Sequence, residues 1–188
     1  MSVLIGICGG PSSGKTTLSR ALTNELCLLG HNAEQVTEYA RFHTARCSQY
    51  PVNHPRDLLY QYMVLEKQLE WENAIPQTME YVVSDSPVII GMIYTHALTN
   101  FEDYNQVAFY HLHYQHILQH KNRYNPLFYL PYGDIEFKLD GLRNQDAGRA
   151  QRIGEKIKAF LVFHDISFHE VVGTLDERIE KCISIIKG

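Results

Sequence analysis

Residues 9 to 16 read Gly9-Gly10-Pro11-Ser12-Ser13-Gly14-Lys15-Thr16, a complete G-x-x-x-x-G-K-T loop. No other feature constrains the chain as much, because such a loop works only between a strand and a helix. Both flanks are present. Val3 to Cys8 is a short apolar run suited to a buried parallel strand. From Thr17 to Leu29, apolar residues recur at Leu18, Leu22, Leu26 and Leu29, a helical spacing. Glycines let backbone N–H groups curl around an anion. The helix start adds a partial charge of about +0.5 beside it. Gly9 to Thr17 are therefore expected to cradle a polyphosphate, with Lys15 reaching the β- and γ-phosphates and Thr16 sitting on Mg²⁺. The alternative, a Gly/Ser turn that binds nothing, explains neither flank.

The rest of the chain repeats the same alternation. Further strands are predicted at Asn32–Thr37, Tyr81–Ser84 ending at Asp85, Leu127–Leu130 and Phe168–Val172. Helices are predicted from Pro55 to about Asn73, from Asp103 to Lys121, from Gly148 to Phe163 and from Asp176 to Ile186. Leu58, Tyr62, Leu65 and Leu69 are expected on one inward face. Apolar strands alternating with amphipathic helices imply an α/β fold, a parallel sheet with helices on both faces. A chain of 188 residues is most simply one domain over residues 1–188. The stretch Pro131–Asn144 has little periodicity, and 131–150 is the candidate lid.

Composition narrows the class. An apolar content of 45% suits a globular protein. No run approaches the ~18 apolar residues that span a bilayer, and the N-terminus has no charged region followed by a cleavage site. Cys8, Cys27, Cys47 and Cys182 are scattered, without a C-x-x-C pair. Reduced thiols in a cytoplasmic protein are expected, with no membrane partner. A net charge of −4 gives no global basic footprint for nucleic acid.

Outside the loop, four regions carry chemistry. Asp85 ends an apolar strand, where ligand sites of open α/β sheets lie. It is read either as a carboxylate of the Mg²⁺ shell opposite Thr16 or as a turn residue before Ser86-Pro87. Glu38 follows the second strand and is read either as a proton acceptor or sugar ligand, or as a helix N-terminal Glu. Arg41 is read as steadying an anionic substrate or as an ordinary surface Arg. Arg143 lies at the end of the aperiodic stretch, and Arg149 and Arg152 come after it. A guanidinium there would stabilise a transferring phosphoryl group, or would be solvated charge paired with Asp146. Twelve Tyr and ten His are unusual for this length. His113, His116 and His120 share a predicted helix face, but no surrounding pattern resembles a zinc framework. The tyrosines, among them Tyr60 and Tyr94, are read as core and rim aromatics or as a base-stacking platform.

Together, the Gly9–Thr16 loop, Glu38-Tyr-Ala-Arg41, Asp85 and Asp140-Gly-Leu-Arg143 resemble the small P-loop kinases. The pattern is most similar to the nicotinamide riboside kinase domain of the bifunctional NAD-biosynthesis regulator and to its phage-encoded relatives. Some of those relatives act on nucleosides or nucleotides, others on 5-hydroxymethyluracil within DNA. The resemblance implies a P-loop NTPase three-layer sandwich with a five-stranded parallel sheet and a small lid. It implies ATP and Mg²⁺, a nucleoside-like or nucleotide-like acceptor, Asp85 near the metal or acceptor, and lid arginines at Arg143 and Arg149. Phage origin would place the protein in a host cytoplasm. One departure stands out. The riboside kinase branch has a second acidic residue two positions after the Asp85 equivalent, and here that position is Pro87. An acceptor within DNA would draw on Arg41, Arg46, Arg56, Lys121 and Arg123 as a basic rim. A regulatory P-loop ATPase is the reading from a different class.

Overall fold

The computed structural model describes residues 2–47, 57–133 and 147–188. Five strands, β1 (Val3–Gly9), β2 (Ala33–Val36), β3 (Tyr81–Asp85), β4 (Leu127–Leu130) and β5 (His169–Glu170), form one sheet in the order β2-β3-β1-β4-β5. All four pairings are parallel. The expected five-stranded parallel α/β sandwich is what the chain adopts. β1 is central and buried from Ile5 onward, which explains why its run is continuously apolar rather than alternating.

Seven α-helices are described: α1 (Lys15–Leu28), α2 (Tyr39–Cys47), α3 (Leu58–Asn73), α4 (Gly91–Leu98), α5 (Tyr104–Gln119), α6 (Ala147–Phe163) and α7 (Leu175–Lys187). Leu18, Leu22 and Leu26 of α1 pack with Ile5, Ile7, Phe128 and Cys182 on one face of the sheet. Leu65, Leu69, Ile117, Ile157 and Leu161, from α3, α5 and α6, form the core on the other face. Two apolar faces on one sheet need two helical layers, and the helical stripes supply them.

Capping chemistry sets several helix boundaries. Asp57 accepts from the Tyr60 N–H before α3, and Asp103 accepts from the Asn105 and Gln106 N–H groups before α5. Thr174 and Glu177 form a reciprocal capping box at α7. The predicted Pro55 start of α3 lies outside the described residues. Two helices, α2 and α4, are absent from the periodicity reading. Each is short and weakly amphipathic, so tertiary contacts define it rather than its own pattern. Three further expectations are corrected. Tyr62 and Leu29 are exposed, whereas α3 buries Gln68 and Glu72 alongside Leu65 and Leu69. The last strand is His169–Glu170, shorter than Phe168–Val172. Lys15 and Thr16 belong to the first turn of α1, two residues earlier than predicted. Cys8 and Cys182 are buried and Cys27 is exposed.

His113 of α5 is buried and shares a 3.2 Å hydrogen bond with the Thr95 hydroxyl of α4. Burial, and then the neighbouring His116, push its imidazole down to about 4. The unfolded chain therefore takes up this proton near pH 6.5, whereas the folded chain resists it until about pH 4. The stability contributed by the neutral ring is complete above the unfolded value and is lost as pH falls through that window. It amounts to at most about 3 kcal/mol. Urea unfolding at pH 7 and pH 4.5 should show this loss in the wild type and a smaller loss in His113→Gln. Equal losses in the two proteins would refute the assignment.

Candidate phosphate and acceptor site

The site forms where β1 and β3 run side by side. Their register pairs Ile7 with Asp85, so the loop leaving β1 and the carboxylate ending β3 emerge together. Gly14 caps α1 with φ at +89°, a left-handed conformation that a Cβ would disfavour. Gly10 is needed for a different reason. A Cβ there would stand 2.6 Å from the Ala150 carbonyl oxygen of α6. This close approach docks the loop on α6 and brings neighbouring Arg149 toward the site.

Within the loop, Lys15 Nζ donates to Gly10 O at 2.7 Å, and Thr16 Oγ1 donates to Asp85 Oδ2 at 2.6 Å. Asp85 is 1% exposed, and its Oδ1 is buried with no hydrogen-bond partner among the described residues. Burial pushes its carboxyl above the usual range; Lys15 and Thr16 oppose that rise, Glu38 adds to it and Arg41 opposes it. The sequence-predicted Lys15, Thr16, Asp85, Glu38 and Arg41 thus share one electrostatic neighbourhood. A hydroxyl and a carboxylate with a spare buried oxygen are hard donors that fit Mg²⁺. Among the described residues, no group of three or more His, Cys, Asp or Glu is arranged to hold a metal through side chains alone. The fit to Mg²⁺ is therefore to an ion that also uses phosphate oxygens and water.

A cavity of about 210 Å³ opens beside this cluster. Glu38, Ala40 and Thr44 line it from the N-terminal side of α2, and Tyr60, Val64 and Leu65 from α3. Pro87, Val88, Tyr94 and Leu98 close the opposite wall, and Arg149 stands at its α6 side. Glu38 precedes α2 and its carbonyl accepts from the Phe42 N–H, so it is both the helix-start residue and a cavity residue. Arg143 and most of the candidate lid lie outside the described residues. Arg152 is exposed on α6 and does not line the cavity. Of the proposed basic rim, Lys121 donates to His164 O, and Arg123 bonds Asn73 and Glu72. Those two are engaged away from the cavity, and Arg56 lies outside the described residues. Of the tyrosines, Tyr60 and Tyr94 reach the cavity, whereas Tyr39 packs on Trp71 and Tyr110 stacks on Tyr114.

Sequence reasoning missed two supports of the site. Gln68 is buried in the cavity wall, and its Oε1 accepts from the Tyr39 N–H at 2.8 Å, holding α2, and with it Glu38, against α3. Arg178 of α7 is 1% exposed; its Nη1 donates to Ser13 O at 3.0 Å and its Nε to Gly173 O at 2.9 Å. It braces the phosphate loop from below. The available signal was a polar residue on an otherwise apolar stripe, beside Leu65 and Leu69 in one case and Ile179 and Cys182 in the other.

A family model described as an AAA domain matches residues 4–178. No curated protein matches the sequence. Among solved structures, the NadR protein in complex with NR superposes with a TM-score of 0.75 at 17% identity, covering 100% of this chain and 52% of that one. Thymidylate kinase from Candida albicans gives 0.63 at 17% identity, covering 99% and 91% of the two chains. Deoxyadenosine kinase from M. mycoides gives 0.62 at 14% identity, covering 98% and 99%. The chain spans about half the length of the NadR chains it matches, 52% and 50%. At these identities the likenesses establish the fold, including the expected resemblance to the P-loop kinases.

Proposed function

The chain belongs to the AAA domain family, and from that premise we propose that it is a P-loop kinase. In this reading it transfers the γ-phosphate of ATP to a hydroxyl of a small nucleoside-like or nucleotide-like acceptor. The carrying observation is the cavity with Glu38 in its wall, opening beside Lys15, Thr16 and Asp85. An ATPase that only switches between states needs the second group but not the first.

The positions of the described residues support the following roles. The loop from Gly9 to Thr17 binds the phosphates, and Lys15 offsets their charge. Thr16 and Asp85 would hold Mg²⁺, which when bound neutralises charge on the β- and γ-phosphate oxygens. Glu38 accepts the proton of the acceptor hydroxyl as its oxygen bonds to the γ-phosphorus, while the bond to the β–γ bridging oxygen breaks and ADP leaves. Arg149 serves the equatorial phosphoryl oxygens, a role that the resemblance to P-loop kinases also gives Arg143, and Arg41 steadies anionic groups nearby. Among the described residues that line the cavity, Glu38 and Arg149 carry full charge, and the others are apolar or neutral. Such walls suit a planar ring.

A coupled assay of ADP formation tests this with ATP, Mg²⁺ and a panel of thymidine, deoxyadenosine, nicotinamide riboside, thymidine monophosphate and hydroxymethyluracil-containing DNA. At least one small acceptor should raise the rate about a hundredfold or more over the acceptor-free rate. Equal rates with and without every acceptor would remove the kinase reading in favour of a regulatory ATPase. Label transferred only into the polymer would replace the small acceptor with DNA.

A further inference from the structure

Behind the acceptor cavity lies a buried polar cluster that phosphoryl transfer does not use. Glu72 of α3 has no exposed side-chain surface. Its Oε1 accepts from Ser84 Oγ at 2.6 Å and from the Tyr124 hydroxyl at 2.9 Å. Its Oε2 lies 3.0 Å from the same hydroxyl and 3.1 Å from Arg123 Nη2. The Tyr124 oxygen in turn accepts from the Val88 N–H at 2.9 Å. A carboxylate suits a serine, a tyrosine and an arginine together, because its two oxygens accept and it carries no donor. Burial raises the Glu72 carboxyl, and Ser84, Arg123 and Tyr124 oppose that rise.

Two of these attachments point at the site. Ser84 directly precedes Asp85 on β3. Val88 opens the 3-10 turn Val88–Ile90, which with Pro87 walls the acceptor cavity. The first N–H of such a turn has no partner within the turn, and here a side chain supplies one. Ser86 holds a left-handed φ of +73°, so the segment between Asp85 and the turn does not sit in its relaxed conformation. The Ser86 N–H donates to Ile7 O at 3.2 Å, and the Tyr124 hydroxyl adds a hold on the turn through the Val88 N–H.

We infer that Tyr124 is a positioning residue: through its hydroxyl, anchored on Glu72, it fixes the Ser86–Ile90 loop that shapes the acceptor side of the site while leaving the phosphate loop alone. This rests on the kinase reading for its catalytic consequence, but the clamp itself is measurable without turnover.

Tyr124→Phe removes one oxygen and keeps the ring. Amide hydrogen exchange of the labelled full chain should show the Val88 amide exchanging at least about tenfold faster in the variant, with Leu18 and Leu22 of α1 within about twofold. For whichever panel acceptor the wild type uses, KM should rise about tenfold while KM for ATP stays within about twofold. Glu72→Gln should move both readouts in the same direction and serves if Tyr124→Phe fails to fold. Unchanged Val88 exchange overturns the inference, as does an ATP KM that rises with the acceptor KM. A wild type inert toward every acceptor would remove the kinase reading, and the exchange measurement would still decide the clamp.

Discussion

Lys15→Ala is expected to lower phosphoryl transfer by on the order of 10³-fold while leaving the fold intact. The ammonium is held over the loop by Gly10 O and is the largest influence favouring ionised Asp85. Without it, the phosphates lose their nearest fixed cation, and Asp85 becomes harder to ionise. No core packing is lost, since Lys15 lies outside both apolar clusters. Acceptor-dependent ADP formation and thermal melting by circular dichroism check both halves. Retention of the rate within tenfold would mean that the loop does not bind the transferring phosphate. A collapsed melt would mean that the lysine is structural.

Asp85→Asn should separate activity from stability. In the fold, burial raises the Asp85 carboxyl above its ordinary value. The ionised form is therefore disfavoured by folding. Any stabilisation from the protonated group is complete below the unfolded value and lost as pH rises through the folded one. At neutral pH the charge is a cost. The neutral amide removes that cost and can still accept from Thr16. The melting midpoint should hold or rise, by ~2–4 °C for each kcal/mol gained in a domain this size. Activity should fall about a hundredfold or more, because an amide is a poorer ligand for Mg²⁺ than a carboxylate. Titrating Mg²⁺ against the rate should show a raised requirement. A variant both less stable and fully active would return Asp85 to the role of a turn residue.

The legible part of the site was the part encoded by contiguous residues. The phosphate loop is local: eight residues, flanked by a run of period-free apolar character and a helical stripe, carry it. Asp85 was legible because parallel strands put their carboxyl ends on one edge, so a carboxylate after an apolar run has a short list of places to be. Glu38 and Arg41 were placed by the same topological argument, although the helix they introduce, α2, was not visible. Its apolar residues do not form a stripe, since its partners lie both on α3 and in the cavity.

The supports were hidden for a physical reason. Gln68, Glu72, Tyr124 and Arg178 act through partners as far as 29, 52 and 165 residues away. A buried glutamate bonded to a tyrosine 52 residues later leaves no periodic trace. It registers in the sequence only as a polar residue where an apolar one is expected.

By itself, the order of residues determined a parallel α/β sheet, a glycine-rich turn after its first strand and an acid at the end of a neighbouring one. Those depend on local spacing and on the one handed way in which strands and crossover helices connect. The tertiary structure alone decided that β1 lies between β3 and β4, that Thr16 meets Asp85 at 2.6 Å, and that a cavity opens beside them. Distances between segments far apart in the chain are set by how two apolar layers close on one sheet, and only the packed core specifies them.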